Sequence, residues 1–354
     1  MPDWTASMEQ TFEYYTVDPG TWSNVKRLDT IISSNITFDM SSETLGSASF
    51  DATDVFGESY VRVYLVTTQN GVTERFCLGT YLVQTPSSSF NGKYTSVSMD
   101  AYTPLIELKE KLPPFGYYIP KDENIMDLCC RLVAENVRAP VVSTVSSETM
   151  YKDFVANTDD TWLSFLTDAI ANAKYQFLLD EMGRILFAPK QDAKSMQPVW
   201  TFSDDNATSI VYEDIDIDHD IYGIPNTIEV IYSQNDKLLY SKAVNDDPTS
   251  PTSTISRGRE ILERVTNPEF AGIPTQQLID EYAEQYLREI STLTYTVRYS
   301  HGYCPVRMGD CVRLNFRSIG LNGVNAIVQS QDLDCSPGAK VDETATFELK
   351  FWEG

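Results

Sequence analysis

The chain has 354 residues, a formal net charge of −24 at pH 7, 42% hydrophobic residues and 12% aromatic residues. This length accommodates about two to four domains, and the many Tyr and Phe residues favour strands. The acidic balance argues against a nucleic-acid binder, which would carry a basic patch, and against docking on an anionic lipid surface.

The N-terminus has no basic segment followed by an apolar one, so the sequence predicts no secretory signal. No apolar run approaches the length of a membrane-spanning helix. The six cysteines are therefore expected to be reduced thiols in a cytosolic folding compartment. They have no Cys-x-x-Cys spacing, which supports neither a zinc ribbon nor a redox motif: Cys77, Cys129, Cys130, Cys304, Cys311 and Cys335.

Residues 1–112 alternate or run apolar between Ser, Gly and Asn turns, which predicts a first barrel-like antiparallel β domain. The predicted strands include Ile31–Ile32, Ile36–Met40, Ala48–Phe50, Tyr60–Val66 and Arg75–Gln84. The Pro-Pro-Phe-Gly run at 113–116 closes this segment.

Residues 113–192 predict a small α/β domain. Its elements are amphipathic helices at Ile125–Val137 and Thr161–Ala173 and a hairpin of Tyr175–Leu179 and Arg184–Ala188. Asp122 is the predicted N-terminal cap of the first helix, and Asp159 or Asp160 that of the second. Cys129 and Cys130 lie on the first helix and are expected in the core.

Residues 193–232 predict strands that join the second β domain. Residues 233–292 predict an insertion, with a polar surface loop to residue 272 and then a helix at Thr275–Ile290. The expected buried stripe of that helix is Leu278, Tyr282, Ala283, Tyr286 and Leu287. Residues 293–354 predict a second barrel-like β domain.

Two hairpins at opposite ends of the chain have similar sequences. One runs from Gly79 through Leu82-Val83-Gln84 to a turn at Gly92-Lys93 and a strand at Tyr94–Met99. The other has Ile327-Val328-Gln329, a Ser336-Pro-Gly338 turn and a strand at Thr344–Phe351. Each is expected to have a Gly before its first strand, and together they indicate an internally duplicated scaffold.

A further set of short motifs occurs in a characteristic order. It consists of Thr44–Phe50, the Asp180–Gly183 hairpin turn, Ile224-Pro225-Asn226, Gly258-Arg259, the helix near 283–287, Gly309-Asp310 and the Ser-Pro-Gly turn. This order resembles the baseplate or tail hub proteins of tailed bacteriophages, which are related to the hub part of contractile injection systems. The resemblance covers nearly the whole chain, although each motif alone is weak.

The resemblance implies a homotrimeric ring with two barrel-like domains per subunit, so that three chains present a pseudo-sixfold face. It also implies a tail-tip location in the virion, synthesis in the bacterial host cytoplasm, and a channel for DNA. The implied partners are further copies of the chain, a tail tube or distal-tail protein, a tape-measure protein, and a spike or fibre. Some family members carry a C-terminal cell-wall peptidase or lysozyme domain, which is expected to be missing here or supplied by another protein.

The run Asp214–Asp220 is the strongest candidate for chemistry. As a strand it places Asp214, Asp216, Asp218 and Asp220 on one face. Carboxylates could bind calcium, but neither the Gly nor the closing Glu of an EF-hand loop is present. The alternatives are a solvated acidic face or part of an acidic channel wall.

No residue is predicted to be catalytic, cofactor-binding or metal-binding, and no cofactor is predicted. The two histidines, His219 and His301, form no His-Glu-x-x-His motif, and no Gly-x-Ser-x-Gly, Walker or dinucleotide motif occurs. Gly309-Asp310 is expected to form a tight turn before a strand at Val312–Phe316. The sequence thus favours a non-enzymatic structural hub protein; a cell-wall hydrolase or carbohydrate-binding β protein is the alternative.

Overall fold

The computed structural model describes residues 2–54, 57–90, 92, 95–189, 193–204, 210–219, 221–234, 237–268 and 274–349. Two compact units divide the chain. The first comprises Met1–Ile215 and Arg298–Ala345, and the second comprises Asp216–Val297 and Thr346–Gly354. The described part is mainly antiparallel β, as the sequence predicts.

In the N-terminal part of the chain the strands follow one another with short connections, and later in the chain helices lie between strands. They are β1 (Glu9–Val17), β2 (Asn24–Arg27), β3 (Ile31–Asp39), β4 (Gly46–Ala52), β5 (Ser59–Gln69), β6 (Val72–Phe90), β7 (Thr95–Tyr102), β8 (Tyr118–Ile119), β9 (Phe154–Val155), β10 (Tyr175–Leu179), β11 (Ile185–Pro189), β12 (Trp200–Ser203), β13 (Val211–Asp218), β14 (Thr227–Gln234), β15 (Lys237–Val244), β16 (Leu262–Thr266), β17 (Leu293–Gly302), β18 (Cys311–Asn315), β19 (Val324–Asp334) and β20 (Lys340–Leu349). The helices are α1 (Ile106–Lys109), α2 (Ile125–Asn136), α3 (Trp162–Asn172), α4 (Thr254–Arg257) and α5 (Gln276–Ile290), with 3₁₀ turns at Ala193–Ser195 and Arg317–Ile319.

One large sheet has the strand order β13-β17-β20-β19-β3-β4-β7-β6-β5-β1-β2, with β18 paired to β19 and β12 paired to β18. The N-terminal and C-terminal parts of the chain meet where β3 pairs with β19, Thr37 opposite Asp332. Apolar residues at alternate positions form the inward face, among them Ile36, Phe50 and Met99. The β modules predicted at the two ends of the chain therefore contribute strands to one continuous sheet.

Both predicted hairpins are present, β6 with β7 and β19 with β20. The prediction that Gly79 precedes its strand is wrong, because β6 already begins at Val72. Gly79 lies at an irregularity of the β5–β6 pairing, with φ +149° and its backbone against the Tyr81 ring. Glycine alone fits there, since a Cβ would overlap that ring. Lys93, Tyr94 and Phe351 of the two motifs lie outside the described residues, and the proposed duplication stays a prediction.

The α/β segment has the predicted helices and hairpin, but both cap predictions are wrong. Asp122 adopts φ +65° and lies outside the helix, whereas Asn124 caps α2 by accepting from the Asp127 N–H at 3.0 Å. Thr161 caps α3 through a reciprocal pair of hydrogen bonds with Ser164. In both cases the residue directly before the helix supplies the side-chain oxygen. Cys129 is fully buried in α2, as expected, and Cys130 is half-buried.

A buried arginine joins the α/β hairpin to the large sheet. Arg62 on β5 donates to the Thr80 hydroxyl at 2.8 Å, to the Trp22 carbonyl at 3.2 Å and to the Met182 carbonyl at 3.2 Å. The same Met182 carbonyl accepts from the Trp22 indole N–H at 2.7 Å. The β10–β11 turn is thereby fastened to β5 and β6.

The second unit contains a three-stranded sheet in the order β15-β14-β16, with α5 packed on one side. The prediction of a loop from 233 to 272 is wrong, because this stretch contains β15 and β16, which pair with β14 on either side. Thr275 caps α5 as its predicted start implies. The buried stripe is Ile279, Ala283 and Leu287, whereas Leu278 is exposed. The spacing of four residues places those three on one helix face.

Candidate functional surface

The outward side of the large sheet carries a surface of short polar side chains. Cross-strand pairing places its members on one face, because directly opposed residues of antiparallel strands point the same way. Pairs that define it include Ser49 opposite Asp100, and Thr37 opposite Asp332. We call this the short-polar face: Ser33, Asn35, Thr37, Ser47, Ser49, Asp51, Ser87, Ser89, Ser96, Ser98, Asp100, Ser330, Asp332 and Asp334.

The carboxylates of this face are held by uncharged donors. Asp332 accepts from the Asn35 amide at 2.6 Å and from the Thr37 hydroxyl at 3.3 Å. Asp51 accepts from the Ser33 hydroxyl at 2.8 Å. None of the residues just named is a Lys or Arg, and the donors that orient Asp51 and Asp332 are uncharged.

The composition of this face runs against strand propensity. Ser, Asn and Asp replace the β-branched and aromatic residues that strands favour. Since the same strands keep Ile36, Phe50 and Met99 on the buried side, the polar alternation follows a sheet with one solvated side. The sequence displays this pattern, for example in Ser47–Asp51 and Ser96–Asp100, but the joining of five strands into one face could not be foreseen from it.

The acidic strand β13 has the predicted alternation. Asp214, Asp216 and Asp218 are exposed, while Ile215 and Ile217 are half-buried; Asp220 lies outside the described residues. Nearby in the second unit, the His219 ring stacks on Tyr295 with centroids 5.0 Å apart. Within the described residues, no group of three or more His, Cys, Asp or Glu side chains is placed to hold a metal ion.

His301 belongs to a buried polar cluster that the sequence did not reveal. Its Nε2 lies 3.3 Å from a Glu343 oxygen, which also accepts from the Gln331 amide at 2.6 Å, and Tyr299 donates to the other carboxylate oxygen. The cluster joins β17, β19 and β20. A charged residue at an inward position of an alternating strand, Glu343 between Val341 and Ala345, is the sequence feature that could have indicated it.

A cysteine beside this cluster gives a Cys–His–Glu arrangement that superficially resembles the active site of an enzyme with a cysteine nucleophile. The Cys304 sulfur lies 3.9 Å from His301 Nδ1. Burial, followed by the charge of Glu343, raises the pKa of this thiol far above its usual range. A buried thiol that stays protonated is a poor nucleophile, so the cluster is suited to fastening three strands together.

Gly309 and Asp310 form the predicted turn. Gly309 has φ +88°, and the Asp310 carboxylate accepts from the Arg307 N–H at 2.9 Å. Strand β18 follows at once, close to the predicted Val312–Phe316. The turn therefore has a structural role.

Among the described residues, no helix is long and apolar enough to cross a membrane.

No protein-family model matches the sequence, and no curated protein matches it. Solved structures do match over nearly the whole chain. A tail protein from Neisseria meningitidis MC58 aligns with TM-score 0.67 and 13% identity, covering 97% of this chain and 98% of its own. The 43 kDa tail protein of prophage MuSo2 from Shewanella oneidensis aligns with TM-score 0.64 and 11% identity, covering 95% of this chain and 98% of its own.

A chain of the Francisella PdpA–VgrG complex aligns with TM-score 0.57 and 10% identity, covering 98% of this chain and 58% of its own. At these identities the likeness concerns the fold. The structural neighbours are phage tail, prophage tail and VgrG-related proteins, so the likeness to the tail hub group expected from the sequence is confirmed at the level of the fold: the chain has the fold of phage tail proteins.

Proposed function

We propose that this protein is a structural hub protein at the tip of a phage tail, where three copies form a ring around a DNA passage. The observation that carries the proposal is the short-polar face, on a fold shared with tail proteins. In this proposal the ring adapts a sixfold tail tube or distal-tail ring to a threefold spike or fibre, and the hairpins β6–β7 and β19–β20 are the two predicted similar modules of each chain. No enzymatic step is part of this role.

The short-polar face has the properties that a DNA passage requires. Lys and Arg contacts to phosphates release counterions and create salt-dependent binding, which would hold the DNA back. Exposed carboxylates such as Asp51, Asp100 and Asp332 repel the phosphates instead. Screening over roughly 8 Å at physiological salt leaves this repulsion effective inside a narrow bore. Short side chains also present few groups that extend from the sheet and could contact the DNA.

The proposed environment follows from this role. The ring contacts further copies of itself, a tail tube or distal-tail protein, the end of a tape-measure protein and a spike or fibre, in the tail tip of the virion. The acidic strand β13, with Asp214, Asp216 and Asp218, is a separate candidate for an acidic channel wall. The barrel-like domains at 1–112 and 293–354 belong to the same proposal.

A charge-reversal experiment tests the assignment of the face. The variant Asp51→Lys/Asp100→Lys/Asp332→Lys should make the purified protein bind duplex DNA with an affinity that falls as salt rises, and should slow genome ejection from assembled particles. The control Glu135→Lys/Asp159→Lys/Asp168→Lys changes the net charge equally at exposed positions of the α/β segment. If both variants retain DNA equally, the passage does not follow the short-polar face.

The oligomeric state is tested separately. Native mass spectrometry of the protein, or a reconstruction of the assembled particle, should give three times the 39.9 kDa of one chain. A monomer in the particle, or a ring of six copies, would refute the adaptor role itself.

A hollow in the short-polar face supports a second candidate function, carbohydrate binding. It has a volume of about 130 Å³ and is lined by Asn35, Thr37, Asp100 and Tyr102, among others. Amide, carboxylate and hydroxyl groups beside an aromatic ring can hydrogen-bond a sugar. Titration with cell-wall saccharides, read by the amide shifts around Asn35 and Asp100, should show localised changes if this function is correct and none if the face only repels DNA.

A further inference from the structure

A buried carboxyl group lies among the C-terminal strands of the large sheet, with a histidine as its basic neighbour. The side chains of Glu343 on β20 and His301 on β17 are both 0% exposed. Among the described residues, His301 is the only basic group within 4 Å of the Glu343 carboxyl. A buried charge is costly unless it is paired and hydrogen-bonded, so the charge of this carboxyl depends on the protonation of the histidine.

The hydrogen bonds of His301 fix where its protons lie. Nδ1 is 2.8 Å from the Gly302 carbonyl oxygen. Because a carbonyl oxygen only accepts, Nδ1 carries a hydrogen. Nε2 is 3.3 Å from a Glu343 carboxyl oxygen. A neutral ring with its hydrogen on Nδ1 would direct the Nε2 lone pair at a carboxylate oxygen, so one further proton must lie between these two atoms.

The other contacts of Glu343 indicate on which side that proton lies. Tyr299 donates to one carboxyl oxygen, and the Gln331 amide donates to the other at 2.6 Å. With His301, three donors converge on the carboxyl group. An ionised carboxylate accepts all of them, and such hydrogen bonds favour its charged form. The Phe202 ring, with its centroid 4.6 Å from that of the imidazole, is an aromatic neighbour suited to a cation.

The other titratable groups that interact with the pair supply no positive charge. They are Tyr299 on β17, Cys304 in the segment after it, Asp310 in the turn before β18, and Asp342 on β20. Burial raises the pKa of the Tyr299 hydroxyl and the pKa of the Cys304 thiol far above their usual ranges, so both groups stay neutral. Asp310 and Asp342 contribute only negative charge, which favours a cation at His301.

We propose that His301 and Glu343 form a buried imidazolium–carboxylate pair, and that its proton makes the joining of β17 to β19 and β20 sensitive to pH. With the proton on Nε2, His301 donates to the carboxylate of β20, which also accepts from Gln331 on β19. Without this proton, two acceptors face each other 3.3 Å apart inside the sheet, and the buried carboxylate has no counter-charge. The C-terminal strands are therefore held together while the proton is present and loosen when it is lost.

Histidine-selective ¹⁵N labelling of the full chain tests the position of the proton. The chain contains two histidines, so the spectrum contains two rings, and the variant His219→Gln identifies the signals of His301. At pH 7, both ring nitrogens of His301 should have the chemical shifts of nitrogens bonded to hydrogen. An Nε2 without hydrogen in the folded protein would overturn the inference, and this measurement needs no variant of the cluster.

Two isosteric variants separate the pair from the general acidity of the chain. Glu343→Gln removes the partner carboxylate, so Nε2 of His301 should lose its proton at pH 7. Asp342→Asn is the matched control, because it removes one negative charge from the same strand at an exposed residue that is paired with Lys340 at 2.8 Å. The imidazolium should persist in this control. Equal effects of the two substitutions, in variants shown to be folded by circular dichroism, would overturn the pairing.

Urea denaturation at several pH values tests the pH sensitivity. An unfolded histidine has a pKa of about 6.5 and an unfolded cysteine one of about 8.5. Between these values the folded chain holds a proton that the unfolded chain has released, so stability is lost as the pH rises. The folding equilibrium constant of the wild type should fall by about tenfold per pH unit relative to that of His301→Gln/Glu343→Gln, which has no titrating group at either position. Parallel pH profiles of the two proteins would overturn the proposed sensitivity.

Discussion

Replacing Gly183 with alanine is expected to destabilise the first unit by about 1–5 kcal/mol. Gly183 ends the β10–β11 turn with φ +73°, and a Cβ there would lie 2.8 Å from Thr80 Cβ. Alanine in this left-handed region is strained by about 1–2 kcal/mol, partly offset by about 0.4–1 kcal/mol from the less flexible unfolded chain. The overlap adds about 1–3 kcal/mol, because Thr80 is fixed by its hydrogen bonds to Arg62 and the Met182 carbonyl.

Gly320→Ala is the matched control, since Gly320 has φ +83° in the same unit and nothing within 4 Å of its missing Cβ. It should cost about 0–1.6 kcal/mol, the strain less the gain from the less flexible unfolded chain. Urea denaturation followed by tryptophan fluorescence measures both free energies of unfolding. Equal losses in the two variants would refute the reasoning, because the hairpin turn would then not be packed tightly against β6.

Three further changes probe other parts of the fold. Arg62→Met should lower the free energy of unfolding by about 3 kcal/mol, because buried acceptors lose a charged donor. Arg62→Lys should restore less than half of that lost free energy in the same urea assay. A loss below about 1 kcal/mol in Arg62→Met would contradict the role of Arg62 in joining the hairpin turn to the sheet. Thr161→Ala should cost about 1 kcal/mol and Asp159→Ala much less, since Thr161 caps α3; thermal melts showing the reverse order would restore the cap expected from the sequence. Burial raises the pKa of the Cys77 thiol to about 11, so its alkylation rate, followed by peptide mass spectrometry, should keep rising about tenfold per unit between pH 8 and 10; a plateau near pH 9 would show an ordinary exposed thiol.

The sequence predicted those elements whose periodicity is local. Helices α2, α3 and α5 and the β10–β11 hairpin follow from apolar spacing within about fifteen residues. The predictions of the helix caps failed where several residues with side-chain oxygens are adjacent in the sequence. Only the backbone conformation decides which of them faces the unpaired N–H groups of the first helical turn. The prediction of a loop at residues 233–272 failed for a different reason. β15 and β16 are short strands, KLLYSKAV and LERVT, that pair with β14 on either side. That pairing is a tertiary effect, which the Asp-, Asn-, Ser- and Pro-rich composition of the stretch as a whole does not reveal.

The candidate surface depends on contacts between distant parts of the chain. Ser33–Thr37 and Ser330–Asp334 each display polar alternation, but only the pairing of β3 with β19 makes them neighbours. Asn226 shows the same limit. The sequence marked it as part of a motif, and the structure gives it a packing role: its side chain bonds the Thr252 and Arg259 carbonyls and the Ile261 N–H.

The pairing of β3 with β19 has a consequence for how the protein is made. The ribosome releases β3 nearly three hundred residues before its partner strand exists. Until then β3 has an unpaired edge, a template for wrong pairing with another chain. The β3–β4 hairpin and the meander of β5, β6 and β7 can form early, since their contacts are close in sequence, whereas closing the sheet waits for the end of synthesis. Truncated chains should therefore aggregate, and the rate-limiting step of refolding should be the arrival of β19.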